Sequence, residues 1–161
     1  MEWKKWDELP EGMRNEKVKP YYDLLSRRRG SLTVKRVFDA VLSAVAVVLL
    51  SPVMAVLAVM IKVDSKGPVL FRQVRVTQYG REFRICKFRT MVNRADRMGS
   101  QVTAAGDARV TKVGKMLRGC RLDELPQLFN ILAGDMTFVG TRPEVPKFVA
   151  AYTEEMMATL L

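Results

Sequence analysis

The sequence contains no histidine, and this absence excludes several kinds of active site. Serine–histidine–aspartate and cysteine–histidine nucleophile pairs, HExxH metal motifs and imidazole acid–base catalysis all need that residue. Only two cysteines occur, Cys86 and Cys120, and they form no CxxC motif. A zinc site or a disulfide framework is therefore not expected, and a reducing compartment is indicated. Catalysis, if present, falls to Asp, Glu, Lys, Arg, Tyr, Ser or Thr, with or without a hard metal ion.

Acidic residues are scarce beside basic ones. The 161 residues include 27 Lys and Arg against 17 Asp and Glu, a net charge of +10, although 48% of the chain is hydrophobic. Between Lys62 and Arg121, 15 basic side chains face only 4 acidic ones. A block with this excess is expected to meet an anionic partner, which is nucleic acid, phospholipid headgroups or a phosphorylated small molecule. The length predicts one domain with an appendage.

A long apolar run extends from Val37 to Ile61, and Asp39 is its only charged residue. As a straight helix it measures about 37 Å, which exceeds the roughly 30 Å of a bilayer core, so a membrane segment is predicted. Basic residues flank both ends of the run, and the positive-inside rule asks both ends to stay in the cytoplasm. We expect Asp39 to pair with Arg36, one helical turn before it.

The dipeptide Ser51-Pro52 interrupts this run. Pro52 cannot donate a hydrogen bond to the Val48 carbonyl, so a bend is predicted there, with the Ser51 hydroxyl available to that carbonyl. A re-entrant hairpin, which enters and leaves the membrane by one face, satisfies both the bend and the flanking charges. A kinked transmembrane span and a buried helix of a soluble protein are the alternatives. The chain is thus divided into a basic and aromatic linker or interfacial segment (1–30), a membrane helix (31–62) and a catalytic domain (63–161).

The predicted fold class is α+β: a small cytoplasmic domain with a β-hairpin and several helices, attached to one Pro-kinked re-entrant membrane helix. Alternating apolar and polar residues indicate strands at 69–76 and 82–89, joined by a turn at Gly80. A solvated basic edge is the alternative for this segment. The remaining pattern predicts helices at 91–98, 109–120 and 124–132 and a loop at 99–107.

Two adjacent carboxylates, Asp123 and Glu124, precede the last of these helices. The simplest interpretation is a helix cap, with Asp123 as the N-cap and Pro126 in the first turn, where its missing N–H costs nothing. The same position also suits chemistry, because a helix start holds a carboxylate ionised and binds phosphate. An aspartate can attack phosphorus where cations, among them Mg²⁺, cancel the charge. The candidate phosphate-binding residues are Lys87, Arg89, Arg109, Lys112, Arg118 and Arg142.

Seven motifs then occur in a fixed order, over roughly residues 31–150. They are "KRVFD" at 35–39, "LSP" at 50–52, "GPVLFRQVR" at 67–75, "KFRTM" at 87–91, "GDARVTKVGKMLR" at 106–118, "LDELPQLFNIL" at 122–132 and "GDMTFVGTRPE" at 134–144. With these motifs the sequence resembles the bacterial sugar transferase family, the monotopic phosphoglycosyl transferases that begin glycan assembly on a polyprenol carrier.

The resemblance implies a mechanism. Asp123 would attack the sugar-bearing phosphate of a UDP-sugar, expel UMP and become a phosphosugar-aspartate, while Glu124 would bind Mg²⁺. Undecaprenyl phosphate would then accept the phosphosugar. The resemblance also implies a re-entrant helix bent at Ser51-Pro52 and a Lys35-Arg36 pair where the membrane and the polyprenyl phosphate are met.

The expected location is the bacterial inner (cytoplasmic) membrane, with the catalytic domain facing the cytoplasm. The expected partners are a UDP-sugar, undecaprenyl phosphate and membrane phospholipid, without nucleic acid, and a homodimer is left open. The alternative function is a non-catalytic, membrane-anchored basic module that binds anionic lipid or nucleic acid. Because family members usually continue beyond the position of Leu161, a chain ending there is expected to be impaired.

Overall fold

The computed structural model describes residues 3–93, 95 and 107–161. It is an α+β structure with a two-stranded antiparallel sheet, as predicted. Its helices and strands are α1 (Lys19–Ser26), α2 (Arg29–Asp64), β1 (Leu70–Val76), β2 (Glu82–Phe88), α3 (Lys112–Gly119), α4 (Gln127–Ala133) and α5 (Pro146–Val149). Short 3₁₀ helices occur at Trp6–Glu8, Glu11–Met13, Gln78–Gly80, Leu122–Glu124 and Met156–Leu160.

The β-hairpin is confirmed within one residue at each end. Strands β1 and β2 pair from Leu70 opposite Phe88 to Val76 opposite Glu82. The turn between them places Tyr79 and Gly80 at positive φ, 59° and 75°, which the right-handed twist of a tight hairpin favours. Phe83 and Phe88 of β2 are buried, so one side of the hairpin belongs to the core, whereas Arg72 and Arg84 are exposed, in keeping with the alternative of a solvated basic edge for these two residues.

Helix α2 contains the predicted apolar run and continues through Pro52 without interruption. The Ser51 hydroxyl donates to the Val48 carbonyl at 2.8 Å, which confirms the predicted replacement for the hydrogen bond that proline cannot make. With 36 residues the helix is about 54 Å long. Among the described residues it is the one helix long and apolar enough to cross a membrane, with a mean hydropathy of 2.8 in its most apolar window.

Both ends of α2 pack on the same small domain. Near its start, the Arg36 guanidinium donates to the carbonyls of Ile131 and Leu132 at 2.6 and 2.8 Å, at the carboxyl end of α4. Near its end, Leu57 and Ile61 enter a core cluster with residues of β2 and α3, including the fully buried Leu117. The helix therefore lies across the domain, and its middle is largely exposed.

A second core ties the first residues of the chain to the last. Leu9, Met13 and Tyr22 pack with Val76 of β1 and with Leu160. The described part of the N-terminal segment is therefore folded onto the hairpin and the C-terminal residues, rather than extending away as a linker.

The predicted helices of the domain have mixed outcomes. Helix α3 lies inside the predicted 109–120 segment, with Thr111 as its N-cap, because the Thr111 side chain accepts from Gly114 N–H at 3.0 Å. The helix predicted at 124–132 instead begins at Gln127. Met91, where a helix was predicted to begin, forms an isolated antiparallel bridge with Val110. Most of the predicted helix 91–98 and loop 99–107 lies outside the described residues.

Candidate active site

The acidic pair lies in the 3₁₀ helix Leu122–Glu124, and Asp123 caps no helix. Arg121, just before it, adopts the left-handed conformation with φ of 58°, which turns the chain sharply out of α3. Helix α4 then starts after Pro126, so the acidic pair is separated from its first turn. The cap interpretation is wrong because a left-handed residue and a separate 3₁₀ turn precede the α-helix.

Glu124 lies between two cations that come from different parts of the chain. Lys87, from β2, donates to Glu124 Oε1 at 3.0 Å, and Arg142 donates to the same oxygen at 3.1 Å. Lys87 and Glu124 are both mostly buried, whereas the Arg142 side chain is 62% exposed. Three residues selected from the sequence thus meet at one carboxylate oxygen.

The two carboxylates have opposite pKa directions. Burial raises the pKa of Asp123 above its ordinary value, and the nearby Lys87 charge opposes this rise only in part. Burial alone would also raise the pKa of Glu124, but the hydrogen bond from Lys87 and the charges of Lys87 and Arg142 outweigh it and lower that pKa. The pKa of Asp123 is therefore raised rather than lowered as a helix start would lower it, and Glu124 is the carboxylate whose charge the neighbouring cations stabilise.

Position and pKa suit the two residues to different tasks. A more basic carboxylate is the better nucleophile once it is ionised, because its electron pair is less stabilised by its surroundings. A carboxylate already held by two cations is poorly suited to attack and well suited to organise charge. The geometry thus separates a candidate nucleophile, Asp123, from a candidate charge organiser, Glu124.

The other predicted phosphate-binding residues divide between the site and the scaffold. Arg118 lies close enough to Asp123 that its charge partly offsets the rise in the Asp123 pKa. The Arg118 Nε donates to Thr90 Oγ1 at 2.8 Å. Arg109 forms an ion pair with Asp107 at 2.6 Å, and its hydrogen bonds lower the Asp107 pKa to about 2. Lys112 is exposed at the first position of α3.

Arg89 is not brought to the acidic pair. Its side chain is buried, and its Nη2 donates to the Ser65 carbonyl at 2.6 Å and to the Ser65 hydroxyl at 2.9 Å. It therefore binds the carboxyl end of α2, where a cation complements the helix dipole. Gly67 beside it has a φ of 132°, which favours glycine, and a Cβ there would lie 2.2 Å from Arg89 Nη1 and displace that guanidinium.

The residues predicted at the membrane entry are placed along α2. Lys35 forms an ion pair with the buried Asp39 at 3.4 Å and also donates to the Thr137 hydroxyl. Thr137 in turn donates to Asp39 Oδ2 at 2.5 Å. The predicted pairing of Asp39 with Arg36 is wrong, because Arg36 points to the carbonyls of α4. Ser51 and Pro52 lie near the middle of α2, away from these contacts.

Two positioning residues were not predicted from the sequence. Thr137 links the loop after α4 to the start of α2, and no feature of the neighbouring sequence predicts this contact. Asn130 of α4 is buried, accepts from Cys86 N–H at 2.9 Å and donates to the Arg84 carbonyl at 2.9 Å. Asn130 holds α4 against β2, next to Lys87, and a polar residue among the apolar positions of a predicted helix was the available signal.

A cleft of about 530 Å³ adjoins the acidic pair without containing it. Its walls come from the start of α2, the segment 135–144 and both terminal segments. Arg142 belongs to the cleft lining and also binds Glu124, so it connects the two. Its position is set by the following residues, since Glu144 pairs with Val76 of β1 in an isolated antiparallel bridge.

A metal ion would depend on ligands beyond the protein. No group of three or more His, Cys, Asp or Glu side chains able to hold a metal is found in the described ranges 3–93, 95 and 107–161. Mg²⁺ is commonly bound by one or two carboxylates together with substrate phosphates and water. Asp123 and Glu124 fit that donor set, because both supply hard oxygen atoms.

The sequence family agrees with these observations. Residues 30–160 match the model of the family described as bacterial sugar transferase. The match covers most of the chain and includes every element from α2 onward. The chain belongs to the bacterial sugar transferase family.

Curated relatives carry names that specify a reaction. A protein of Aeromonas hydrophila, 47% identical over 76% of this chain and 29% of its own, is named UDP-N-acetylgalactosamine-undecaprenyl-phosphate N-acetylgalactosaminephosphotransferase. A protein of Klebsiella pneumoniae named UDP-glucose:undecaprenyl-phosphate glucose-1-phosphate transferase is 47% identical over 70% of this chain and 24% of its own length. A protein of the same name in Caulobacter vibrioides is 43% identical over 73% of this chain and 48% of its own length. The chain thus corresponds to less than half the length of these relatives.

Proposed function

We propose that the protein transfers a sugar-1-phosphate from a UDP-sugar to undecaprenyl phosphate, in the first step of assembling a lipid-linked glycan. The observation that carries this proposal is the acidic pair itself. Asp123 is partly buried with a raised pKa, and Glu124 beside it is fixed by Lys87 and Arg142. The names of the relatives support the same substrates.

The proposed reaction has two displacements at one phosphorus atom. An Asp123 carboxylate oxygen attacks the phosphorus that bears the sugar, the bond from that phosphorus to the bridging oxygen breaks, and UMP leaves. A phosphate oxygen of undecaprenyl phosphate then attacks the same phosphorus and releases the Asp123 carboxylate. The product is a polyprenyl diphosphosugar, and the order of events is ping-pong.

The surrounding cations have defined tasks in this scheme. Arg142 is the most exposed of them and can turn from Glu124 to a phosphate oxygen, while Lys87 remains against Glu124. Arg118 adds positive potential at Asp123, which reduces the repulsion between the carboxylate and the diphosphate. Glu124 would hold Mg²⁺, which would supply further neutralisation of phosphate charge.

We propose that α2 enters and leaves the membrane by the same face. Support comes from Arg36 and Ile61, which join opposite ends of the helix to one domain and so keep both ends on its side. Cysteine labelling tests this arrangement in a variant that lacks Cys86 and Cys120. Ser31, in the first turn of the helix, and Lys66, just after its end, are both exposed, and Ser31→Cys and Lys66→Cys are expected to react only from the cytoplasmic face. Labelling of either from the opposite face would restore a simple span.

The decisive assay is Mg²⁺-dependent UMP release from a UDP-sugar in the presence of undecaprenyl phosphate, in nanodiscs. Asp123→Asn is expected to abolish release, whereas the matched control Asp23→Asn, which alters a surface ion pair with Lys19, leaves the rate unchanged. Without acceptor, intact-mass measurement is expected to find one phosphosugar on the wild type and none on Asp123→Asn. A wild-type rate for Asp123→Asn would refute Asp123 as the nucleophile. Absence of UMP release from the wild type would favour the non-catalytic basic module, whose lipid binding weakens steeply with salt.

A further inference from the structure

The cleft beside the acidic pair has a wall that the family match does not include. Trp3 and Leu25 line it, and both precede residue 30, where the match begins. The lining also includes Tyr152 and the last residues of the chain. Its volume of about 530 Å³ lies within the range of roughly 300–1,000 Å³ usual for small-molecule sites.

The carboxylates that line this cleft are already compensated by neighbouring cations, and the lining Arg36 guanidinium is held by two backbone carbonyls. Asp135 binds Arg81 at 2.9 Å, and Glu144 lies 3.6 Å from Arg75. Lys35 is likewise neutralised by Asp39. Because the lining cations already have partners, they attract an added phosphate less strongly, while the carboxylates can accept hydrogen bonds from hydroxyl groups. The interior therefore suits a hydroxylated, uncharged group better than a phosphate.

Trp3 gives the cleft an aromatic surface in a fixed orientation. Its ring lies 5.3 Å from that of Tyr22 and 5.2 Å from the Arg29 guanidinium. Its indole Nε1 is buried and has no hydrogen-bond partner within the described part of the chain. Aromatic surface combined with a few polar groups is the usual lining of a small-molecule site, and it matches the apolar C–H face and hydroxyl edge of a sugar ring.

Two further side chains supply hydrogen-bonding capacity. Gln78, in the hairpin turn, and Tyr152 both line the cleft. Neither side chain has a hydrogen bond to another of the residues in 3–93, 95 and 107–161. Polar groups that converge on a cleft with unused donors and acceptors are the ones that discriminate between ligands.

Arg142 links this cleft to the chemistry. Because its guanidinium reaches Glu124 from the cleft wall, a ligand whose phosphate lies at the acidic pair can extend its adjoining group past Arg142 into the cleft. We propose that the cleft holds the glycosyl unit of the donor and that Trp3, Gln78 and Tyr152 determine which sugar is accepted. This inference rests on the proposed transfer of a sugar-1-phosphate.

The chain has only two tryptophans, which makes a direct binding test available. In a Trp6→Phe, Asp123→Asn double variant, which cannot form the covalent phosphosugar of the proposed reaction, Trp3 is the sole tryptophan and reports on the cleft by fluorescence. UDP-glucose and UDP-N-acetylgalactosamine are titrated in parallel with UDP, with occupancy fixed by calorimetry. At equal occupancy the UDP-sugars are expected to change the Trp3 emission and UDP to leave it unchanged. In the reciprocal Trp3→Phe variant, the Trp6 emission is expected to stay constant with every ligand.

Substitutions in the cleft provide a second measurement that needs no fluorescence. Gln78→Ala and Tyr152→Phe are each expected to weaken binding of at least one UDP-sugar by about 5- to 10-fold, the effect of one lost hydrogen bond. Their affinity for UDP is expected to be unchanged. Tyr21→Phe is the matched control, since Tyr21 binds Glu155 outside the cleft, and it is expected to leave all affinities unchanged.

The outcomes separate this inference from the proposed function. Equal emission changes with UDP and UDP-sugar, or equal losses of both affinities in Gln78→Ala, would place the nucleotide in the cleft and overturn the inference. A Trp3 response to undecaprenyl phosphate alone would assign the cleft to the acceptor and also overturn it. If UDP-sugars bind and UMP is released while Trp3 stays silent, only the sugar assignment fails. Absence of both UDP-sugar binding and UMP release would refute the function as well.

Discussion

Gly114 is the position at which the structure makes the sharpest stability prediction. It lies in α3, where the helix passes directly over the backbone of Thr90. A Cβ at position 114 would lie 2.0 Å from the Thr90 carbonyl oxygen and 2.6 Å from its carbonyl carbon. Both atoms belong to the backbone, so a flexible side chain cannot move aside. Gly114→Ala must therefore displace α3 from this segment by more than 1 Å, since ordinary contact begins at 3.4 Å.

The cost follows from the contacts that such a displacement breaks. Thr111 N–H donates to the Thr90 carbonyl at 3.1 Å, and Arg118 Nε donates to the Thr90 hydroxyl at 2.8 Å. Two hydrogen bonds contribute about 2 kcal/mol together, and looser packing of the buried Leu117 adds about 1–2 kcal/mol. The better helix propensity of alanine returns about 1 kcal/mol. The net destabilisation is about 2–3 kcal/mol, which lowers Tm by about 4–12 °C for a chain of this size.

Gly119 provides the matched control in the same helix. A Cβ at position 119 meets nothing within 4 Å, so Gly119→Ala is expected to leave Tm unchanged or to raise it slightly. Thermal unfolding of the purified protein in nanodiscs, followed by circular dichroism, measures both variants. A Tm for Gly114→Ala equal to that of Gly119→Ala would refute the close approach of α3 to Thr90.

Three further predictions concern the acidic pair and α2. Arg121 has a φ of 58°, so Arg121→Gly is expected to retain Tm, and Arg121→Val is expected to lower both Tm and UMP release through a backbone strain of about 1–2 kcal/mol. Equal Tm values for the two variants would exclude backbone strain as the cause. The rate of UMP release is expected to fall on acidification through the raised pKa of Asp123. Lys87→Met removes a positive charge that lowers this pKa, so it is expected to move the acidic limb of the pH–rate profile to higher pH, whereas Lys112→Met is not. A downward shift or no shift for Lys87→Met would contradict the assignment of this limb to Asp123. Ser51→Ala is expected to cost about 1 kcal/mol in the wild type and nothing in a Pro52→Ala background, because the Val48 carbonyl then regains a backbone donor; equal losses in Tm would show that the hydroxyl does not serve this carbonyl.

The features predicted correctly from the sequence are those fixed by local geometry. The alternation of side chains across a strand located the hairpin, and the missing N–H of Pro52 identified Ser51 as the donor to Val48. Neither depends on residues distant in sequence. The meeting of Lys87, Glu124 and Arg142 was anticipated only as a set of candidate residues, because their pairing depends on how β2 and the segment after α4 pack together.

The cap interpretation failed for a reason that composition does not reveal. Asp followed by a proline and an apolar helical pattern is a common helix start, and the propensities of these residues are satisfied by that choice. The structure instead places Arg121 in a left-handed conformation that non-glycine residues seldom adopt. That conformation directs Asp123 and Glu124 toward β2, where Lys87 is available. Tertiary contact thus decided a local geometry that sequence propensity had assigned differently.

The contacts of the basic residues likewise depend on tertiary structure that the sequence pattern does not reveal. Arg36 and Arg89 were both candidates for phosphate contacts, yet each guanidinium binds backbone carbonyl groups at the carboxyl end of a helix. Such an end presents unpaired carbonyl oxygens and a partial negative charge, so it attracts the same guanidinium that would bind a phosphate. Arg36 lies near the start of α2, and Arg89 binds the residue just after its end. Together they therefore also hold both ends of that helix on the domain. Part of the basic excess therefore anchors the apolar helix and does not bind an anion, whereas Lys87, Arg118 and Arg142 lie near the acidic pair, where a diphosphate is proposed to bind.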